Sequence, residues 1–391
     1  MLKVLRGLQS GSNGTTANQP FNFMALTVYF FGSLPNGVEP YYGGGEIGNQ
    51  RTVNMLRGFG YKVRVVKKLR CKLTASEFVK VITYPFRATI GVGAFLALLL
   101  FGSRKAIVHI SGFYGPTIFF EYLLVGVANL LGYKIIYEMR GGGAESYHKT
   151  GSAFYRFCFA RIVRMARVVF SQGIENEPLL HSVSDTPIFY YPNYVEDGYL
   201  PSTLPQKPQG TINLIYFGRI EPQKNVKLIV EVASILQKQM DMSLTIIGKG
   251  QHGYVSEVES LMEKTLKSGT YTFISGYARI GIRTLLLDKH FLIYPSTLSR
   301  EGQSNAITES MSCGVVPISS PQGFSRTVIG NNRMIVDDLT AQSYADRVLE
   351  IMADGSFGQL SELVYERIKS NYTQAVIESK LREQYEWLGE K

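Results

Sequence analysis

A chain of 391 residues with 45% hydrophobic and 18% charged residues is long enough for two domains of ordinary size and too apolar for disorder to be its default state. Its formal charge of +10 asks for an anionic partner, and nucleic acid, an anionic membrane surface and a polyanionic substrate would all satisfy it. The three cysteines, Cys71, Cys158 and Cys313, stand too far apart for metal-ligand spacing, which argues against a zinc site or a disulfide framework and for a reducing cytoplasm.

Residues 1–23 lack the apolar core of a secretory signal, and their Gly/Ser/Asn/Thr run predicts a flexible arm, with Met24 a second candidate start. An N-terminal domain is predicted over residues 24–193. A strand at 26–31, a helix at 46–56 and a strand at 61–66 make a βαβ beginning. The triple glycine before the helix reads equally as a plain turn or as a ligand loop.

Residues 64–72 are densely basic, and residues 88–101 form an apolar run well short of the roughly 20 residues that span a bilayer. A second apolar run, 118–131, is interrupted by Glu121 and Asn129. Between the two runs a strand at 106–110 carries His109 near its carboxyl end, where open α/β sheets place ligands. A lone histidine there is as readily a core residue.

The strand at 134–137 leaves through Glu138-Met139-Arg140-Gly141-Gly142-Gly143. The segment 155–170 then interleaves Arg156, Arg161, Arg164 and Arg167 with apolar residues. As a helix it has one basic side beside an apolar side, which suits an anionic membrane interface, or equally a core helix with a solvated arginine side. No nucleic-acid-binding motif accompanies the charge.

Pro192-Asn193 closes the first domain, and residues 194–210 read as a Pro-rich linker. A second domain is predicted over 211–370. Its strands end in polar or glycine-rich exits: 212–217 into Gly218, Arg219 and Lys224, 244–247 into Gly248, and 271–274 into Tyr277. The strand at 291–294 breaks at Pro295 and leads to Glu301 and Glu309, separated by seven residues. A helix starting near Ser304 offers the free N–H groups of its first turn, at Gly302, Gln303, Ser304 and Asn305, to a phosphate, and places both carboxylates on one crevice. A strand near 334–336 and helices at 341–352, 357–370 and 375–388 follow. The last of these, within 371–391, is a candidate to cross back to the first domain.

The Glu-x7-Glu motif with its Pro-Ser and Gly-Val-Val-Pro flanks, preceded by Gly218 to Lys224, resembles the retaining glycosyltransferases of family four, of bacterial polysaccharide type. The resemblance implies the α/β GT-B fold: two doubly wound, Rossmann-like domains facing across a cleft, the first binding the acceptor and the second a nucleotide sugar. It implies that Arg219 and Lys224 neutralise the leaving diphosphate, that Glu309 takes the ribose hydroxyls and that Glu301 holds the donor sugar. His109 would reach the sugar from the first domain, while Gly44 and Gly45 would approach the diphosphate. Gly218, Gly248, Tyr277, Gly302, Ser304 and Asn305 would complete the donor pocket.

No cofactor and no metal are implied, since the chain lacks an Asp-x-Asp motif. The implied partners are a nucleotide-diphosphate sugar and a glycan or lipid-linked acceptor, met in the cytoplasm at the inner face of the plasma membrane through the basic first domain. Nucleic acid is not expected. Ser304-Asn305 stands where many members have Phe-Gly, and Ser312-Cys313-Gly314 where Ala-x-Gly is usual, which leaves the donor sugar open. A GT-B nucleotide-sugar epimerase and a non-catalytic polyanion-binding module are the competing readings.

Overall fold

The computed structural model describes residues 26–35, 44–68, 77–112, 115, 117–276 and 279–390, so the N-terminal arm, Cys71 and Tyr277 lie outside the described residues. The first sheet contains β1 (Thr27–Gly32), β2 (Lys62–Lys67), β3 (Ile107–Gly112), β4 (Lys134–Met139), β5 (Val168–Ser171) and β6 (Ile188–Tyr190). All its pairings are parallel, in the order β2-β1-β3-β4-β5-β6. Around it lie α1 (Gly44–Gly58), α2 (Glu77–Phe101), α3 (Ile118–Leu130), α4 (Ala144–Thr150), α5 (Ala153–Met165) and α6 (Glu177–Val183).

The second sheet, also parallel, runs β11-β10-β7-β8-β9. Its strands are β7 (Ile212–Ile220), β8 (Met242–Gly250), β9 (Tyr271–Ser275), β10 (Phe291–Tyr294) and β11 (Val316–Ser319). Its helices are α7 (Val226–Leu236), α8 (His252–Thr265), α9 (Arg279–Leu286), α10 (Asn305–Ser312), α11 (Ser325–Ile329), α12 (Ala341–Ala353) and α13 (Phe357–Asn371), followed by α14 (Gln374–Glu390).

Parallel strands covered on both faces need apolar residues at consecutive positions, and β3, β4, β5 and β10 are buried almost end to end. In the first sheet alternate residues feed two cores. Tyr29 and Phe31 of β1 face the layer of α2, α3 and α5, whereas Val28 faces α1 and α14. Helix α14 therefore leaves the second domain and closes the first: Ile377, Leu381, Tyr385 and Leu388 sit in one core with Val28, Leu56, Ile107 and Ile136. Its end is held by the Lys134 ammonium, which donates to the Leu388 carbonyl at 2.7 Å, while the Arg167 guanidinium lies over the Trp387 ring.

One sequence-based expectation is corrected here, and one open alternative is narrowed. Residues 334–336 add no strand, because Asn331 accepts from the Arg333 N–H and starts a 3-10 turn, leaving only an isolated bridge from Ile335 to Ser319. Of the two readings left open for the arginine-rich helix, its periodic apolar side takes the core one. Tyr155, Cys158, Phe159, Ile162 and Val163 of α5 are buried, four of them in the core against α3 and the sheet, with Arg156, Arg161 and Arg164 pointing outward.

Tyr385 is fully buried where α14 meets the sheet, so Tyr385→Ala should cost about 3–5 kcal/mol, the usual range for truncating a buried aromatic. A urea titration read out by first-domain fluorescence checks this, and a cost below about 1 kcal/mol would mean that α14 is not integral to that domain.

Candidate active site

In an open α/β sheet a ligand crevice forms at the carboxyl ends of two neighbouring strands whose connections run in opposite directions. In the second sheet those strands are β7 and β10: the chain goes from β7 out to β8 and β9, then returns to β10 on the other side. The exits of β7 and β10 hold Lys224 and Glu301.

The Lys224 ammonium is only 5% exposed and forms an ion pair with Glu301. It also donates to the Tyr294 hydroxyl at 2.8 Å, and Ser296 Oγ donates to Glu301 Oε2 at 3.1 Å. Burial by itself would lower the Lys224 pKa, but the Tyr294 hydroxyl and the Glu301 carboxylate more than offset that and raise it. The lysine is thus held charged inside the crevice.

On the β7–β8 side, Gly218 and Gly248 are direct neighbours in register. Gly218 has φ +151°, which side chains disfavour, and a Cβ on Gly248 would lie 2.0 Å from the Gly218 carbonyl oxygen. Arg219 is exposed and paired with Glu221 at 2.9 Å, where it can swing toward an incoming anion. Beyond β10, Ser304 is the N-cap residue of α10 and Asn305 its first residue, so the N–H groups of the first turn open into the crevice. Glu309, 4% exposed, lies one turn deeper on the same helix.

The first domain closes over this crevice through glycines. A Cβ on Gly44, at the start of α1, would come within 3.5 Å of Asn305 Nδ2, so the N-termini of α1 and α10 face each other, with Gly45 beside them. A Cβ on Gly142 would lie 2.1 Å from the Glu301 carbonyl oxygen, and one on Gly302 would lie 2.9 Å from the Gly141 Cα. Asn193 and Gln303 add a two-sided clasp: the Asn193 N–H donates to Gln303 Oε1 at 2.6 Å, and Gln303 Nε2 returns to the Asn193 carbonyl at 2.9 Å. The Gln303 side chain is therefore occupied by the linker rather than offered to the crevice.

Of the residues read from sequence, Gly44, Gly45, Gly218, Arg219, Lys224, Gly248, Glu301, Gly302, Ser304, Asn305 and Glu309 are brought to the facing edges of the two domains. His109 is not. Strand β3 continues to Gly112, so His109 is a mid-strand residue with no exposed surface. One ring nitrogen meets Glu138 Oε2 at 3.0 Å, the other meets the Tyr385 hydroxyl, and Phe30 and Phe170 flank the ring. It belongs to a buried cluster in which Glu138 also pairs with Arg140, and Arg140 reaches Asn193 Oδ1 at 3.3 Å.

In the sequence Pro192-Asn193 reads only as the end of the first domain and the Gly141 to Gly143 run only as a strand exit. Their meeting with the Glu301 loop carries no local signal. Tyr294 was hidden in an apolar strand. Among the described residues no group of three or more His, Cys, Asp or Glu is placed to hold a metal ion.

Residues 205–371 match the family model described as Glycosyl transferases group 1. That match covers the second domain and less than half of the chain. Over 148 residues the chain is 24% identical to the O-antigen chain mannosyltransferase B of Escherichia coli, a stretch that spans 38% of each chain. Sucrose-phosphate synthase from Thermosynechococcus elongatus superposes with a TM-score of 0.70 at 16% identity, over 93% of this chain and 99% of that one. HepE from Anabaena in complex with UDP does so with a TM-score of 0.67 at 11% identity, over 92% and 100%. At such identities these structures speak for the fold alone, and that fold is GT-B, with the matched segment in its second half.

Two measurements probe this architecture. Burial would raise the Glu138 carboxyl, but Arg140 and His109 hold it below the ordinary carboxylate value. With the folded pKa below the unfolded one, its contribution to stability is complete above the unfolded value and is lost as the pH falls toward the folded one. Glu138→Gln should therefore be less stable at pH 7 by about 3–5 kcal/mol, and should lose stability less steeply than the parent below about pH 4. Parallel acid-unfolding curves would contradict it. Gly142→Ala should leave both domains folded yet force the Glu301 loop away, so that amide hydrogen exchange in residues 301–303 should rise about tenfold or more, equivalent to roughly 1.4 kcal/mol.

Proposed function

We propose that this protein is a retaining, metal-independent glycosyltransferase of family-four type, moving a sugar from a nucleotide-diphosphate donor to a glycan or lipid-linked acceptor during cell-surface polysaccharide synthesis. One observation carries this reading: a buried, charged lysine and a helix N-terminus converge at the β7–β10 switch point of a group 1 domain. Supporting it are the name of the Escherichia coli relative, which concerns O-antigen assembly, and the UDP in the Anabaena structure of the same fold.

In the proposed reaction the bond between the sugar C1 and the β-phosphate oxygen breaks, and its electron pair leaves with the diphosphate. Lys224, Arg219 and the N–H groups of α10 would stabilise that charge, doing the electrostatic work that dominates such catalysis. The acceptor hydroxyl would attack C1 from the face the phosphate leaves, passing its proton to the departing phosphate oxygen, so that configuration is kept. Glu301 would orient the sugar hydroxyls and Glu309 the ribose. The setting would be the inner face of the plasma membrane, although no helix among the described residues is long and apolar enough to cross a membrane.

A thermal-shift panel of nucleotide sugars, with and without EDTA, tests the reading. A donor at 100 times its Kd should stabilise the protein by about 2.7 kcal/mol with or without chelator. Glu309→Ala and Lys224→Ala should each abolish the shift, and the product's anomeric proton coupling should report retention. An epimerised sugar formed without acceptor, or turnover undiminished in both variants, would sink it.

A further inference from the structure

Most of the large apolar side chains that the described residues expose lie on one surface, the outer side of α2, α3 and α5. Phe101 is 89% exposed, Leu130 85% and Phe154 60%, with Leu100, Phe119 and Phe157 between them. These helices pack side by side, α2 on α3 and α3 on α5, so the residues share one face of the first domain, opposite the face that α14 covers. The rings are ordered on it: Phe119 stacks on Phe154 at 5.4 Å, Phe154 stacks on Phe157 at 6.5 Å, and Tyr122 meets Phe157 edge-on.

The charge on this face has one sign. Arg104, Lys105, Arg156 and Arg161 are exposed along it. Within α2 from residue 88, α3 and α5 the one carboxylate is Glu121, which is fully buried against Lys68, and the exposed Glu145 of the neighbouring α4 is paired with Lys149. An exposed aromatic and aliphatic sheet bordered by arginines and, among the described side chains of these three helices, without an exposed carboxylate complements an anionic lipid surface: the rings enter the headgroup boundary and the guanidinium groups meet phosphates.

We infer that the α2–α3–α5 face is a docking surface for an anionic bilayer. The contact also has a fixed relation to the crevice. Helices α3 and α5 begin on the carboxyl-end side of β3 and β4, so the Phe119–Phe154 stack sits at the cleft end of the domain. Next to Phe154, Tyr155 packs against the Tyr147 ring, and Tyr147 in turn carries the Arg300 guanidinium at 4.4 Å, one residue before Glu301. Docking on this face sets the rim of the crevice at headgroup level, where the hydroxyl of a lipid-linked acceptor is presented. That last step rests on the proposed transferase reading; the docking itself does not.

The test is cosedimentation of the full chain with phosphatidylcholine vesicles containing or lacking phosphatidylglycerol. Binding should require the anionic lipid and weaken with salt. The Phe119→Ser/Phe154→Ser double variant should lose about tenfold or more in partition coefficient. Arg156→Glu and Arg161→Glu should each lose about fivefold or more at low salt. All these variants replace exposed side chains, so their melting temperatures and their thermal shift with UDP should match the parent, which separates failure of docking from failure of the donor site. Equal partition of the parent onto both kinds of vesicle, or undiminished partition of the phenylalanine variant, would overturn the inference. So would a dimer that forms in sedimentation velocity, is abolished by that variant and leaves vesicles unbound, for it would assign the face to a second copy.

Discussion

Lys224 is the group on which the rest of the site depends, because an ammonium taken out of water persists only if its surroundings replace the lost solvation. Tyr294, at the end of β10, and Glu301, seven residues later, do so together, and neither is near Lys224 in sequence. They meet because β7 and β10 are hydrogen-bonded neighbours, with Phe291 opposite Leu214 and Leu292 opposite Ile215. The order of the strands is therefore part of the electrostatics: a sheet with β10 placed elsewhere would leave a buried charge without a counterion. The lysine in turn fixes the Glu301 loop, and that loop is the surface on which the first domain closes.

The closure uses backbone more than side chains. Gly142, Gly302 and Gly323 all lie where an added Cβ would meet main-chain atoms across or within the Glu301 loop, so the two domains approach to a distance that only glycine allows. The Asn193–Gln303 clasp supplies what bare backbone contact lacks, directional hydrogen bonds that define the angle of approach. Asn193 also accepts from Arg140 and Gln172, which ties the clasp to the buried Glu138–His109–Tyr385 cluster and so to α14. A continuous polar path thus runs from the crossing helix through the first sheet to the Glu301 loop. Its members sit within a core otherwise built of aromatic rings, where each lost partner leaves a buried polar atom exposed to a low dielectric.

Much of this was legible in the sequence, for specific reasons. The strands of a doubly covered parallel sheet are apolar runs that end at glycine or proline, and that is how residues 291–294 and the exits at Gly218 and Gly248 could be read. Ser304 before Asn305 is a start signal for α10. His109 shows the limit: the reading ended β3 two residues early, at Ile110, and so moved the histidine from mid-strand toward the sheet's edge, from a core hydrogen-bond partner to a supposed sugar ligand. The Asn193–Gln303 clasp, 110 residues apart in sequence, has no local pattern that could announce it. Residues 334–336 look like a strand by composition, but Asn331 bends the chain first.

Helix α5 shows why amphipathicity alone could not assign the membrane surface. Its periodic apolar residues are the ones that the core consumes, as tertiary packing requires of any surface helix. What marks a docking face is the apolar area left over after the core is filled, and that quantity is not periodic along one helix. Phe154 and Phe157 lie among the arginines of α5, where a helical wheel counts them as exceptions, and Phe119 and Leu130 stand exposed on α3. Only when the helices are laid side by side do these exceptions join, and only then do the described side chains of the three helices, with no exposed carboxylate among them, give the surface one sign of charge. Part of the excess positive charge visible in the composition thus acquires a location, on the α2–α3–α5 face of the first domain.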